Sequence, residues 1–282
     1  MPKNKLRTPI KWYGGKSKLI KKLLPLLPEH KIYVEVFGGS GALLFAKQPS
    51  LVEVYNDIDD NLVNFFRVLQ NKRQAKELQR LLTLSLYSRK ELNTCSKTYK
   101  EGSQTQRAYK FFIASRQAFS GIIGGSWSFA KTCTSRGMAH VVSNYLSAID
   151  EVLPLAIERL KTVQIDNASF QKVIKRYDTA ETLFYLDPPY VHRTRKTTDS
   201  YKSEMVDKEH EELVDILLKI KGKAIVSGYE NPIYKKLKDN GWRKRNFKTV
   251  CFAANISASS KSKSMQKRPK RTESVWLSPT PS

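Results

Sequence analysis

Cysteine is scarce in this chain of 282 residues: there are 3, at Cys95, Cys133 and Cys251, odd in number and without paired spacing. Such a set supports neither a disulfide framework nor a structural zinc site. Histidine is equally thin, with 4 residues, and His192 and His210 have no metal-ligand partner at useful spacing; no obligate metal is expected. Long apolar runs are missing, which excludes a membrane-spanning helix, and the N-terminus lacks the apolar region of a signal peptide. The expected location is therefore the cytoplasm, with no membrane partner. Acidic residues are also few, 26 against 50 lysines and arginines, giving a formal net charge of +24 and an isoelectric point near 9.9. No amphipathic basic anchor accompanies that charge, so a nucleic acid rather than acidic lipid is the natural polyanionic partner.

What the chain does have is a short apolar run, Leu183-Phe184-Tyr185-Leu186, followed at once by Asp187-Pro188-Pro189-Tyr190. The run is uninterrupted in hydrophobicity, as expected of a parallel strand buried on both faces. Proline lacks an N–H and pushes the preceding residue out of the helical region, so the tetrapeptide forms a rigid, extended exit from the strand. Ligands of such sheets bind beyond the carboxyl ends of the strands. An acid, free backbone carbonyls and an aromatic face suit the exocyclic amino group of a flat heterocycle, although an ordinary proline turn has the same local form.

A second strand, Ile32 to Val36, runs into Phe37-Gly38-Gly39-Ser40-Gly41 and then the helix-compatible Ala42 to Ala46. Strand, glycine turn and helix let backbone approach a nucleotide-like ligand. A dinucleotide fingerprint starting at Gly39 would need glycine where Leu44 stands. Leu51 to Tyr55 forms another strand ending in Asn56-Asp57-Ile58-Asp59, where Asp57 is placed to accept hydrogen bonds from a ribose diol. The alternative for any of these acids is a cap on the helix that follows. Glu35 adds a carboxylate that could take the ammonium of an amino-acid-bearing cofactor. Near the start, Lys11-Trp12-Tyr13-Gly14-Gly15-Lys16 lacks the glycine at position 10 that a phosphate loop requires. It reads instead as a turn offering an aromatic ring and a charge.

Those four blocks, in that order and with a long insert before the last, resemble the Dam-type DNA adenine N6-methyltransferases. The resemblance implies an α/β fold, a Rossmann-like class I methyltransferase sheet with a mostly helical target-recognition insert. It also implies S-adenosylmethionine as cofactor and double-stranded DNA as partner, and leaves room for a cognate restriction endonuclease. Cofactor contacts would come from Trp12, Tyr13, Gly15, Lys16, Glu35, Phe37, Gly38, Gly39, Ser40, Gly41, Asp57, Ile58 and Asp187. Asp187, Pro188, Pro189 and Tyr190 would be catalytic, with Asp187 and the Pro188 carbonyl holding the amino group of a flipped adenine and Tyr190 stacking on the base. Arg116 and Phe119, within Arg116-Gln117-Ala118-Phe119-Ser120-Gly121, match the family's recognition stretch. Beyond it Gly124-Gly125-Ser126-Trp127 departs from the family pattern, which leaves the recognised DNA sequence open.

Strand and helix signals alternate up to Leu69 and again from Thr162, with further strands at Thr162–Ile165, Lys223–Ser227 and Ser274–Leu277. Residues 1–70 and 161–282 are expected to form the catalytic domain, and 71–160 the helical insert. Basic residues Arg193, Arg195 and Lys196 follow the tetrapeptide in a candidate closing loop. Lys267 and Arg268 lie in an acid-free basic strip, Ser257 to Arg271, expected to meet DNA phosphate or to remain a solvated loop. His210 is expected on the exposed face of a helix from Asp207 to Ile220. Methylation of cytosine N4, of RNA adenine, and a catalytically silent DNA-binding regulator remain alternatives. Cytosine C5 chemistry is disfavoured, because Thr94, Thr132 and Val250, not proline, precede the cysteines.

Overall fold

A computed structural model describes residues 6–17, 19–189, 205–250 and 270–279. In chain order, α1 (Ile20–Leu23) precedes β1 (Ile32–Glu35), α2 (Ala42–Ala46), β2 (Val52–Asn56) and α3 (Asp60–Gln70). A helical stretch follows, with α4 (Lys72–Thr83), α5 (Arg89–Thr98) and α6 (Gln104–Gln117). A small hairpin of β3 (Thr134–Ser135) and β4 (Met138–Ala139) then leads to α7 (His140–Ser147) and α8 (Leu153–Leu160). Strand and helix resume as β5 (Val163–Asp166), α9 (Phe170–Tyr177), β6 (Thr182–Leu186), α10 (Asp207–Leu217), β7 (Lys223–Gly228), α11 (Pro232–Asp239), β8 (Arg243–Val250) and β9 (Lys270–Leu277).

The main sheet has the order β5-β2-β1-β6-β7-β9-β8. Its first five strands are parallel, and β9 runs antiparallel to both neighbours. From β1 the chain winds outward through β2 to β5, whereas from β6 it winds the other way to β7. This is the expected Rossmann-like sheet, and its topological switch point, where such sheets bind ligands, lies between β1 and β6. All five residues of β6 are buried, as the unbroken apolar run Leu183 to Leu186 requires, and the polar Thr182 at its start donates its hydroxyl to the Tyr177 carbonyl. Reversal of β9 has a further effect: Ser274 pairs with Gly228, so the beginning of β9 lies at the carboxyl edge of the parallel strands.

Strand β8 was not anticipated from its sequence, RKRNFKTV. An edge strand needs few apolar residues and is protected by charge, so its basic residues conceal it from a hydrophobicity pattern. The placement of His210 also needs correction. It is fully buried, with Nδ1 2.9 Å from the Tyr234 hydroxyl. His210 shares the helical face of Leu213, Val214 and Leu217, which points into the core.

Helix α3 starts at Asp59, whose carboxylate accepts the Asn61 N–H, and α6 starts with a capping box between Ser103 and Gln106. Their inward faces meet around Phe65, whose ring centre is 5.4 Å from that of Phe66, 6.0 Å from Phe111 and 6.2 Å from Phe112. Phe66 in turn meets Tyr55 of β2 at 4.7 Å. The helical stretch and one face of the sheet therefore share a single hydrophobic core. Phe65→Ala is expected to cost about 3–5 kcal/mol. Calorimetry should show one unfolding transition moved to lower temperature, and two separated transitions would contradict the shared core.

Candidate active site at the carboxyl edge of the sheet

Asp187 leaves β6 at the switch point, followed by the buried Pro188 and half-buried Pro189. Its Oδ1 is held twice, by Lys16 Nζ at 2.7 Å and by the Ser227 hydroxyl at 3.1 Å. Ser227 is itself fully buried on β7, with its Oγ 3.1 Å from the Tyr185 hydroxyl. Among the described residues nothing donates to Oδ2. Burial raises the Asp187 pKa, and the ammonium and hydroxyl pull it back by favouring the carboxylate. Lys16 Nζ also lies 3.3 Å from Glu273 Oε1, on the reversed strand β9.

Beside Asp187, the end of β1 is tied to β6 by the Val36 N–H bond to the Tyr185 carbonyl (3.0 Å). The glycine turn follows. A Cβ at Gly38 would sit 2.2 Å from the Tyr55 ring, so only glycine fits there, and Gly41 caps α2 at φ 66°. The turn is braced by Asp57, whose Oδ2 accepts the Gly39 N–H and whose Oδ1 accepts the Asp59 N–H, both at 2.8 Å. Because Asp59 caps α3, Asp57 is not committed to that role. Burial pushes its carboxyl up to about 6, while the backbone N–H donors oppose the shift. The next residue, Ile58, is 54% exposed, an apolar side chain beside an acid.

Glu35 is placed differently from the other acids. It is 2% exposed, and its Oε2 accepts the Leu44 N–H (3.1 Å) and the Tyr33 hydroxyl (3.4 Å). Burial pushes its pKa up to about 8, with the Asp187 charge adding to the shift. It therefore lies behind the turn, and an approaching ammonium would have to compete with the Leu44 bond. Phe37, half-buried, packs on Phe170 with ring centres 5.9 Å apart. Ser40 is buried within the turn.

The N-terminal loop joins this edge to the helical stretch. Trp12 lies against the turn, where a Cβ at Gly39 would meet its ring at 3.0 Å, and its other side reaches Phe111 at 6.0 Å. Tyr13 is half-buried and Gly15 exposed. Lys11 Nζ donates to the Arg116 carbonyl (3.0 Å), and burial together with the Arg116 charge pushes Lys11 down to about 8. The Arg116 guanidinium donates to the Asn144 carbonyl at 2.9 Å, so that group is shared with a structural bond. Burial and the Arg7 charge push Arg116 down to about 10. Phe119 is 48% exposed.

Tyr190, Arg193, Arg195, Lys196, Lys267 and Arg268 lie outside the described residues, as do the candidate closing loop and most of the basic strip. Sequence reasoning missed Ser227, Glu273 and Asn56. The Asn56 amide donates to the carbonyls of Val36 (2.8 Å) and Ala168 (3.1 Å), fastening three segments at the edge. Asn56 stood within a quoted motif. Ser227 and Glu273 had no local signal, because their role depends on strand pairing.

A family model described as D12 class N6 adenine-specific DNA methyltransferase matches residues 12–250. A type II methyltransferase of Methanocaldococcus jannaschii is 24% identical over 237 residues, covering 75% of this chain and 79% of its own. Another, from Lactococcus lactis subsp. cremoris, is 28% identical over 202 residues, 68% of this chain and 69% of its own. A DNA N-6-adenine-methyltransferase of Escherichia phage P1 is 33% identical over 88 residues, 31% of this chain and 11% of its own.

The electrostatics of Asp57 can be read by stability. Folding moves its pKa from 3.8 to about 6, so between those values the native chain holds a proton that the unfolded chain has released. The associated stabilisation is complete below the unfolded value and is lost as the pH rises through about 6. Relative to Asp57→Asn, the parent should lose up to about 3 kcal/mol across that window in urea melts, with no further change above it. A pH-independent difference between the two proteins would contradict this assignment.

Proposed function

The chain belongs to the D12 class N6 adenine-specific DNA methyltransferases, and on that premise we propose how its own residues carry out the S-adenosylmethionine-dependent methylation of adenine in DNA. The carrying observation is the asymmetry at Asp187, with Oδ1 held by Lys16 and Ser227 and Oδ2 open among the described residues. Oδ2 and the Pro188 carbonyl accept the two N–H bonds of the adenine amino group. Those bonds draw the nitrogen lone pair away from ring conjugation, and the excess proton leaves through Oδ2 once the nitrogen has been methylated. Positioning supplies much of the rate. The base reaches the edge by flipping out of the duplex at a cost of a few kcal/mol, and Tyr190, next in the chain, stacks on it.

The residues present fit the cofactor. A carboxylate at the end of β2 beside an exposed apolar side chain suits a ribose next to a purine face, and the turn opposite carries little but glycine. Asp57 would accept from the ribose hydroxyls, Ile58 and Phe37 would flank the purine, and Phe37 to Gly41 with Trp12, Tyr13, Gly15 and Lys16 would line the amino-acid portion. Glu35 acts behind this surface by fixing the first turn of α2. When bound, S-adenosylmethionine supplies an electrophilic methyl group on a sulfonium.

Residues 71–160 form the target-recognition region in this reading, and 1–70 with 161–282 the catalytic domain. Support comes from the cationic cluster of Arg7, Lys11 and Arg116, where the helices meet the N-terminal loop, and from exposed Phe119. Arg193, Arg195, Lys196, Lys267 and Arg268 are assigned to DNA phosphates. A cognate restriction endonuclease and a cytoplasmic location complete the proposal, supported by the type II names of the relatives.

Incubation with labelled cofactor and duplex DNA, followed by nucleoside analysis, should give N6-methyladenine, and labelled N4-methylcytosine would contradict the reading. Asp187→Ala should lower single-turnover methylation by about 10²-fold or more while DNA binding survives. Turnover within a few-fold of the parent would remove Asp187 from its role.

A further inference from the structure

Glu273 is buried at the start of β9, and burying an acid is costly unless a charge compensates it. A compensating charge comes from Lys16, whose Nζ lies 3.3 Å from Glu273 Oε1 and 2.7 Å from Asp187 Oδ1. One ammonium therefore stands between two carboxylates. Only one of those carboxylates leaves β6 at the switch point. The other arrives on β9, whose reversed direction places its first residues at the same edge, beside Gly228 at the end of β7.

We propose that Glu273 is a positioning residue for the methyl transfer, anchoring Lys16 so that the ammonium grips Asp187 by Oδ1 alone and leaves Oδ2 to the base. The ammonium carries several donors, and a second carboxylate fixes the direction of more than one of them. Lys16 Nζ also lies 3.4 Å from the Gly14 carbonyl, and without the Glu273 anchor its remaining contacts let the ammonium shift toward Asp187 Oδ2 and compete with the adenine amino group. The shared ammonium also divides its attraction between two acids, which keeps Asp187 a stronger acceptor than it would be as its sole partner. The inference rests on the reading of Asp187 as the amino-group acceptor.

Charged or titratable groups reach Asp187 from each element around it: Lys16 from the N-terminal loop, Glu35 from β1, Tyr185 on its own strand and Tyr234 from α11. Ser227 on β7 contributes a neutral hydroxyl. Of the two acids paired with Lys16, Glu273 is the one not assigned to the base.

Single-turnover methylation by Glu273→Gln, at saturating cofactor and target duplex, is expected to fall about 10- to 100-fold, the scale of a small misplacement in a reaction centre. Duplex affinity should stay within a few-fold. The acid limb of its pH–rate profile should move to lower pH, because Lys16 no longer shares its attraction with Glu273 and a negative charge near Asp187 has been removed. Glu273→Asp keeps the charge but is one methylene shorter, so its rate should fall with the acid limb in place. A parental rate in Glu273→Gln, or a lowered rate with an unmoved acid limb, would overturn the proposal. If Glu273→Gln does not fold, Glu273→Asp decides, and a parental rate there overturns it. Asp187→Asn, measured alongside, separates the two ideas: an inactive Asp187→Asn with parental Glu273 variants sinks only the role of Glu273, whereas a parental Asp187→Asn sinks the reading beneath it.

Discussion

A carboxylate taken out of water needs a compensating charge, yet one that accepts hydrogen bonds from a substrate cannot have all its lone pairs occupied. The surroundings of Asp187 meet both conditions by loading one oxygen. Lys16 and Ser227 converge on Oδ1, and Glu273 also lies within ion-pair reach of Lys16. The N-terminal loop, β6, β7 and β9 must all be in register for that arrangement to exist. Much of the fold can be understood as the means of bringing them together.

Parallel pairing of β1 with β6 sets the place, since it sets the glycine turn and Asp187 side by side at the switch point. Reversal of β9 then brings an acid to an edge that the winding of the parallel strands alone would not supply. The helical stretch is not a separate body behind this edge. Its aromatic core continues from Tyr55 through Phe65 and Phe66 to Phe111, and Trp12 bridges that core to the turn. Strain or displacement in the helical stretch therefore has a packed route to the edge where Asp187 lies.

Features written in adjacent residues were legible in the sequence. Asp187-Pro188-Pro189 and the turn Phe37 to Gly41 carry their geometry in proline and glycine, and β6 carries its burial in the four apolar or aromatic positions Leu183 to Leu186. His210 was legible in principle, because it shares the i, i+3, i+4, i+7 face of Leu213, Val214 and Leu217, but its polarity outweighed its position. Strand β8 was hidden by its lysines and arginines, which serve an edge. Ser227 and Glu273 had no local mark at all. Their relation to Asp187 is created by pairing between distant strands, and a serine or glutamate within a strand reads as an ordinary polar residue until that pairing is known.

The central claim is that the open oxygen of Asp187 receives the amino group of the base. The most direct measurement is a structure of the protein with target duplex and a cofactor analogue that cannot donate its methyl group. The adenine amino nitrogen should lie about 2.7–3.2 Å from Asp187 Oδ2 and from the Pro188 carbonyl, with Lys16 still on Oδ1. An amino nitrogen held by other groups, or a Lys16 ammonium occupying Oδ2 in the presence of the base, would contradict the account.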